Sequence, residues 1–310
     1  MIASMNGQPP ILVGYDPRSQ DRAPAHFAAA AARFTGAPLI IGSVCSPSHD
    51  DGESEDLAPQ ARDELEELKA ELQIDADVRE LRGTSPPRAL HEAAEAEGAG
   101  LLVVGSTHHG PVGRLLPGST AERLMHGAPC SIAVVPQGWQ ERGKLNPLGV
   151  AYARTDEGRE ALRTAHALAR RAAATLRILT AVKPAGALFA GTEAAKPARA
   201  GTDVADVDGA REAGAEQDVR VALADMGDGD VDVEVDVFVD DPADALIRVS
   251  ANLDLLICGS RGYGPLRAVL LGGVSRRVVA EAQCPVIVLP RGVKAPLDAL
   301  AAAPGTIAAP

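Results

Sequence analysis

The chain carries one domain-length pattern twice, and that repeat limits what it can fold into more than any other feature. In the first copy Leu101-Leu102-Val103-Val104-Gly105-Ser106 is followed by Gly110, Gly118-Ser119 and then Ser131-Ile132-Ala133-Val134-Val135-Pro136. In the second, Leu255-Leu256-Ile257-Cys258-Gly259-Ser260 is followed by Gly264, Gly272-Gly273 and then Pro285-Val286-Ile287-Val288-Leu289-Pro290, at the same spacing. Each copy opens alike, on Ile11-Leu12-Val13-Gly14-Tyr15 and on Leu148-Gly149-Val150-Ala151-Tyr152, and each opening runs into an alanine-rich helix, at 21–35 and 156–173. The period is too long for a solenoid, so each copy is a whole domain.

Within each copy, short apolar runs alternate with amphipathic helices. The first copy continues with strand 38–44, helix 57–72, strand 76–82, helix 86–97 and strand 101–105. The second continues with strand 175–182, helix 209–226, strand 231–239, helix 242–251 and strand 254–259. Such alternation predicts an α/β fold: two doubly wound, parallel, five-stranded sheets in the flavodoxin-like order 3-2-1-4-5. The expected domains are 10–136 and 147–291, with a linker at 137–146 whose Trp139 can dock on a domain. The ends, 1–9 and 292–310, are expected to be disordered, and the Ala/Gly/Thr-rich stretch 185–208 to be a mobile loop. Fifth strands so apolar would aggregate if left at a sheet edge. The two domains are therefore expected to pair through them.

A length of 310 residues suits two domains of this size, and 46% hydrophobic residues with only 3% aromatics call for cores of Ala, Val, Leu and Ile. The net charge of −12 speaks against general affinity for nucleic acid or anionic membranes. With no long apolar span and no signal-like N-terminus, a cytoplasmic protein is expected. Cys45, Cys130, Cys258 and Cys284 are widely spaced, as buried free thiols are and metal or disulfide frameworks are not.

In a doubly wound sheet, ligands sit beyond the carboxyl ends of the strands where the order reverses, beside strands one and four. Glycines cluster there: Gly105 and Gly110 in the first copy, Gly259, Gly262 and Gly264 in the second. Residues without a Cβ let backbone amides approach phosphate oxygens. The segments Gly118-Ser119-Thr120 and Gly272-Gly273-Val274-Ser275 then open helices whose free amides can face an anion, and Arg114 and Arg267 add charge inside the loops. His108 is read as a phosphate-facing or structural residue, since adjacent histidines such as His108-His109 seldom share one metal. Neither a P-loop nor a serine-hydrolase elbow is present.

With their spacing, these loops resemble the tandem-domain, ATP-binding branch of the universal stress protein family. Its pattern is Gly-x-x-Gly, nine residues, then Gly-Ser or Gly-Thr. Gly259-Ser260-Arg261-Gly262 and Gly272 match in the second copy, with Gly273 in the hydroxyl place; Gly105-Ser106-Thr107-His108 and Gly118-Ser119 match in the first, with His108 for the second glycine. The resemblance implies adenosine contacts from an Asp after strand one and a Val ending strand two, which Asp16 and Val44 supply in the first copy. In the second copy Val182 matches, but Ala153 stands in place of the Asp. Two unequal sites follow, the first the more complete.

The function expected is a stress-response regulator that binds ATP, or ADP or AMP, with magnesium, and hydrolyses it slowly at most because no catalytic base is evident. A homodimer of the whole chain is a further expectation. The alternatives are an ATP-using enzyme of the wider nucleotide-binding superfamily, or a structural pair whose loops no longer bind.

Overall fold

The computed structural model describes residues 8–17, 21–45, 59–106, 120–125, 127–185, 204–226, 231–260 and 273–290. The first half runs β1 (Ile11–Tyr15), α1 (Ala23–Thr35), β2 (Leu39–Cys45), α2 (Pro59–Leu72), β3 (Ala76–Arg82), α3 (Pro86–Ala96), β4 (Leu101–Gly105), α4 (Thr120–Leu124) and β5 (Ser131–Val135). The second runs β6 (Leu148–Ala151), α5 (Asp156–Ala172), β7 (Leu176–Val182), α6 (Val204–Ala224), β8 (Val233–Val239), α7 (Pro242–Ser250), β9 (Leu255–Gly259), α8 (Gly273–Glu281) and β10 (Val286–Leu289).

The strands form one ten-stranded sheet in the order β3-β2-β1-β4-β5-β10-β9-β6-β7-β8. Each half has the order 3-2-1-4-5 with parallel neighbours, and the halves join where β5 and β10 pair antiparallel. Val134 lies opposite Val286, Ala133 opposite Ile287 and Ile132 opposite Val288. Ala133 and Ile287 hold the same place in the two copies, three residues before Pro136 and Pro290. A pseudo-twofold axis therefore passes through this pair. The most apolar strands thus become the middle of the sheet, which removes both edges at once.

The true edges are β3 and β8, and their sequences differ accordingly. Asp77, Arg79, Glu80 and Arg82 interrupt β3, while Glu234 and Asp236 interrupt β8. Arg79 meets Asp77 at 2.7 Å and Glu97 at 3.3 Å; Arg177 on β7 meets Asp236 at 2.7 Å. Charges along an outer strand discourage another chain from pairing with it.

Two apolar cores lie on the two faces, and each runs across both halves. One gathers α1, α2, α5 and α6 over side chains such as Val13, Val103, Ala133, Val150, Ile257 and Ile287. The other gathers α3, α4, α7 and α8 over Leu12, Leu102, Ile132, Leu256 and Val288. Strand residues alternate between the two, as the period of the pleat requires.

Helix ends follow local chemistry. Pro24 opens α1, and Gly36 closes it at φ 76° with its N–H on the Ala32 carbonyl. Thr155 caps α5 by accepting from the Gly158 amide, and Asp241 caps α7 by accepting from Ala243 and Asp244, just before Pro242.

Two expectations need adjustment. Helix α6 begins at Val204, not 209, so the end of the stretch 185–208 is helical; at its other end Ala185 is buried, with its amide on Asp208 Oδ1 at 2.8 Å. Residues 186–203 lie outside the described residues. Gln8 is half-buried and donates to the Thr35 carbonyl at 3.3 Å, so order begins before residue 10; residues 1–7 and 291–310 lie outside the description. Trp139 does dock, edge-on to Phe27 with ring centroids 5.4 Å apart.

Candidate functional site

In each half the strand order reverses beside the first strand, which places β1 between β2 and β4, and β6 between β7 and β9. The crevice between the carboxyl ends of these strands is the candidate site. Of the residues expected there, Asp16, Val44, Gly105, Thr120, Val182, Gly259, Gly273, Val274 and Ser275 are described. His108, Gly110, Arg114, Gly118, Ser119, Gly262, Gly264, Arg267 and Gly272 lie outside the described residues, as does most of each loop.

The glycines that end β4 and β9 have a packing role that spacing alone did not suggest. A Cβ on Gly105 would come within 3.0 Å of Pro24 Cγ, and one on Gly259 within 2.8 Å of the Glu157 carbonyl oxygen. These positions let the first turns of α1 and α5 rest on the ends of β4 and β9. A helix start is thereby brought to each crevice, with the positive end of its dipole.

The serines that follow are anchored next to those glycines. The Ser106 amide donates to the Val135 carbonyl at 2.8 Å, and its buried hydroxyl accepts from the Gln137 amide at 3.2 Å. The Ser260 amide donates likewise to Leu289 at 3.0 Å. The Ser260 hydroxyl, however, is fully buried and meets no hydrogen-bond partner among the described residues, as is also true of Ser43 and Ser131. A buried hydroxyl without a partner costs about 1–3 kcal/mol.

Across from it, α8 starts at exposed Gly273; Val274 packs on the core beneath, and buried Ser275 donates to the Gly259 carbonyl at 3.4 Å. The amino end of α8 is therefore held against the end of β9. In the first half Thr120, half-buried, opens α4 at the equivalent place.

The crevice beside the first and second strands differs between the halves. In the first, exposed Asp16 follows β1, and Val44 is half-buried near the end of β2. The path from Tyr15 to Ala23 is long, and Asp21 organises its far end, accepting from the Ala23 amide at 3.2 Å and the Gly138 amide at 3.3 Å. In the second, only Tyr152 to Thr155 separate β6 from α5. The turn is closed by the Thr155 cap and is so tight that a Cβ on Gly158 would fall 2.0 Å from the Ala153 carbonyl oxygen. Val182 is half-buried, and its carbonyl accepts from the Asp240 amide at 3.0 Å. The loss of the acid at Ala153 thus coincides with a shorter loop.

A polar cluster beside the first loop escaped sequence reasoning. Arg22 pairs with Glu71 and stands 4.0 Å from Glu64 and 3.9 Å from Glu67; His26 meets Glu71 at 2.9 Å. Tyr15 donates to Glu64 at 3.3 Å, and burial, aided by that carboxylate, pushes its pKa up to about 12. Arg22 in turn holds the Glu71 carboxyl below its usual range. The cluster latches α2 onto α1. Only the acidic stripe Glu64, Glu67, Glu71 at helical spacing could have signalled it. Ser106 and Ser260 carry a clearer signal, being the same residue at the same place in both copies.

Among the described residues no group of three or more His, Cys, Asp or Glu side chains could hold a metal, and no helix is long and apolar enough to cross a membrane. A doubled, doubly wound sheet with a crevice at each strand reversal defines the class: a tandem α/β protein. The universal stress protein family model matches residues 9–136 and 145–290, and the chain belongs to that family. A universal stress protein of Mycobacterium tuberculosis is 27% identical over 299 residues, covering 90% of this chain and 99% of that protein. Another from the same organism is 29% identical over 212 residues, covering 66% of this chain and 65% of that protein, so this match spans just under two thirds of the relative's length. A universal stress protein from Archaeoglobus fulgidus shares the fold at TM-score 0.64 with 18% identity, covering 91% of this chain and 98% of that one.

Proposed function

We propose that this universal stress protein is a regulator that binds an adenine nucleotide, ATP or its ADP or AMP relatives with magnesium, in its strand-reversal crevices. The observation that carries the reading is at the second crevice. There the amino end of α8 is held against the end of β9, and the buried Ser260 hydroxyl beside it meets no partner among the described residues. A phosphate oxygen is the kind of acceptor that such a hydroxyl and a helix start would meet. The donors fit the group: Gly273, Val274 and Ser275 offer first-turn amides, and Thr120 opens the equivalent helix in the first half.

In this reading the loops bearing Gly110, Arg114, Gly118 and Ser119, and Gly262, Gly264, Arg267 and Gly272, enclose the phosphates, with His108 facing them in the first. Asp16 and Val44 hold the adenosine end in the first half; Val182 serves alone in the second. Bound magnesium would screen the phosphate charge against an acidic protein. The chain's own residues bind and orient, and hydrolysis stays well below about 1 s⁻¹. A whole-chain homodimer, also proposed, must use a surface other than β5 and β10, which are already paired within the chain.

Mass spectrometry of nucleotide released from gently purified protein, followed by calorimetry with ATP and magnesium, tests the reading. Adenine nucleotide in the released fraction and measurable binding heat are expected. Protein that carries none and gives no heat would sink it.

A further inference from the structure

The two halves also meet at the opposite ends of their strands, where α1 and α5 stand on either side of the β5–β10 seam. A cavity of about 360 Å³ lies between them, roofed by the linker at Trp139 and Leu145 and floored by Leu101, Leu255 and Ile287. Its size is within the range of about 300–1,000 Å³ in which small molecules are held, at a domain interface where such sites concentrate.

The shape of the cavity is set by α1. Phe27, Ala30, Ala31 and Phe34 line it along one stripe, and at 1.5 Å per residue the stripe is roughly 10 Å long. This is about the length of an extended eight-carbon chain. Phe34 lies at the foot of the stripe, where Arg171 stacks on its ring at 5.0 Å and donates to the Phe34 and Thr35 carbonyls at 2.7 and 3.1 Å. The carbonyl end of α1, otherwise unfavourable to an anion, is thus already met by a cation.

Charge at that end is positive. The lining holds Arg142, Lys144 and Arg171 against Glu141 and Asp254. Glu141 is engaged by Arg33 at 2.7 Å, and Asp254 accepts from the Asn146 amide at 2.9 Å with Arg142 at 3.9 Å. Lys144 makes no ion pair among the described residues. In a chain of net charge −12, a cationic mouth on an apolar trough is a local departure that suits one kind of ligand.

We propose that this cavity binds a medium-chain carboxylate, with its alkyl chain along the Phe27–Phe34 stripe and its carboxylate at Lys144 and Arg142. The site is separate from the nucleotide crevices and does not depend on them.

Trp139 is the only tryptophan of the chain, so its emission reports on the cavity directly. The full chain is titrated with octanoate, octanol and octylammonium at low salt, with and without ATP and magnesium. Octanoate is expected to give a saturable change, tighter than either other probe and unaffected by nucleotide. Lys144→Glu, on the exposed linker where folding is not at stake, should weaken octanoate roughly two- to fivefold and leave octanol unchanged. Absence of a saturable octanoate response would overturn the proposal, as would octanol or octylammonium binding equally well. A response that ATP abolishes would place the probe in a nucleotide crevice and overturn it too.

Discussion

Single residues decide several contacts that residue type alone misrepresents. Glycine inside a helix normally loses stability relative to alanine, and Gly214 on α6 has open space around it. Gly214→Ala should therefore stabilise the chain by about 0.5–1 kcal/mol in urea denaturation. At Gly158 the sign should reverse: the new Cβ would fall 2.0 Å from the Ala153 carbonyl, and a loss of about 1–3 kcal/mol is expected. A stabilised Gly158→Ala would show that the second loop is looser than its geometry. The buried thiols give a pH signature. Cys130, Cys258 and Cys284 are pushed up to about 12, chiefly by burial, while unfolded thiols titrate near 9. Between those values the unfolded chain binds fewer protons than the native one, so stability is whole below about pH 9 and falls as pH rises towards 12. The slope approaches about 1.4 kcal/mol per pH unit for each thiol, and Tyr15 steepens it above its unfolded value of 10.0. Urea midpoints that stay level from pH 9 to pH 11 would contradict this.

At the scale of elements, the two copies diverge where the first strand hands over to the first helix. One loop is long and tied to the linker by Asp21; the other is a short turn closed by Thr155. Under the proposed function, unequal nucleotide affinity follows. Gly118→Val should cost more binding heat than Gly272→Val, because it removes the site that retains Asp16. Equal losses would argue against the asymmetry. Most elements were legible from alternation and punctuation: Pro86 opening α3, Gly36 closing α1, and Asp241-Pro242 opening α7. The start of α6 was not. An Ala/Gly/Thr-rich stretch has no hydrophobic period to read, and the helical state of Val204 to Asp208 is tied to a distant contact, the Asp208 carboxylate on the Ala185 amide.

For the whole molecule, the central fact is that the cores of the two halves are continuous across the seam. Both faces of the sheet carry apolar clusters that cross the seam, with Ala133 and Ile287 on the pseudo-axis. The chain should therefore unfold as one unit, with Trp139 emission and far-ultraviolet circular dichroism giving coincident transitions. Ile287→Asp places a carboxylate where exposure is only 4%, and a loss on the order of 3–5 kcal/mol is expected in the same denaturation experiment. Two separate transitions in the unaltered chain would show that the seam is weaker than its burial.

By itself the sequence determined the doubling, the parallel order of each half, and the need of the fifth strands for a cover. These follow from short-range facts: the period of apolar runs, the turn residues between them, and the cost of a bare apolar edge. It also pointed to the strand-reversal crevices, because glycines and serines recur there in both copies. Only the tertiary structure decided that Gly105 and Gly259 seat helix starts, that Ser260 is buried without a partner among the described residues, and that Arg171 of one copy grips the end of α1 in the other. Those outcomes join residues far apart in the chain. They depend on where packing brings two near-identical folds together, and neither local periodicity nor residue spacing carries that information.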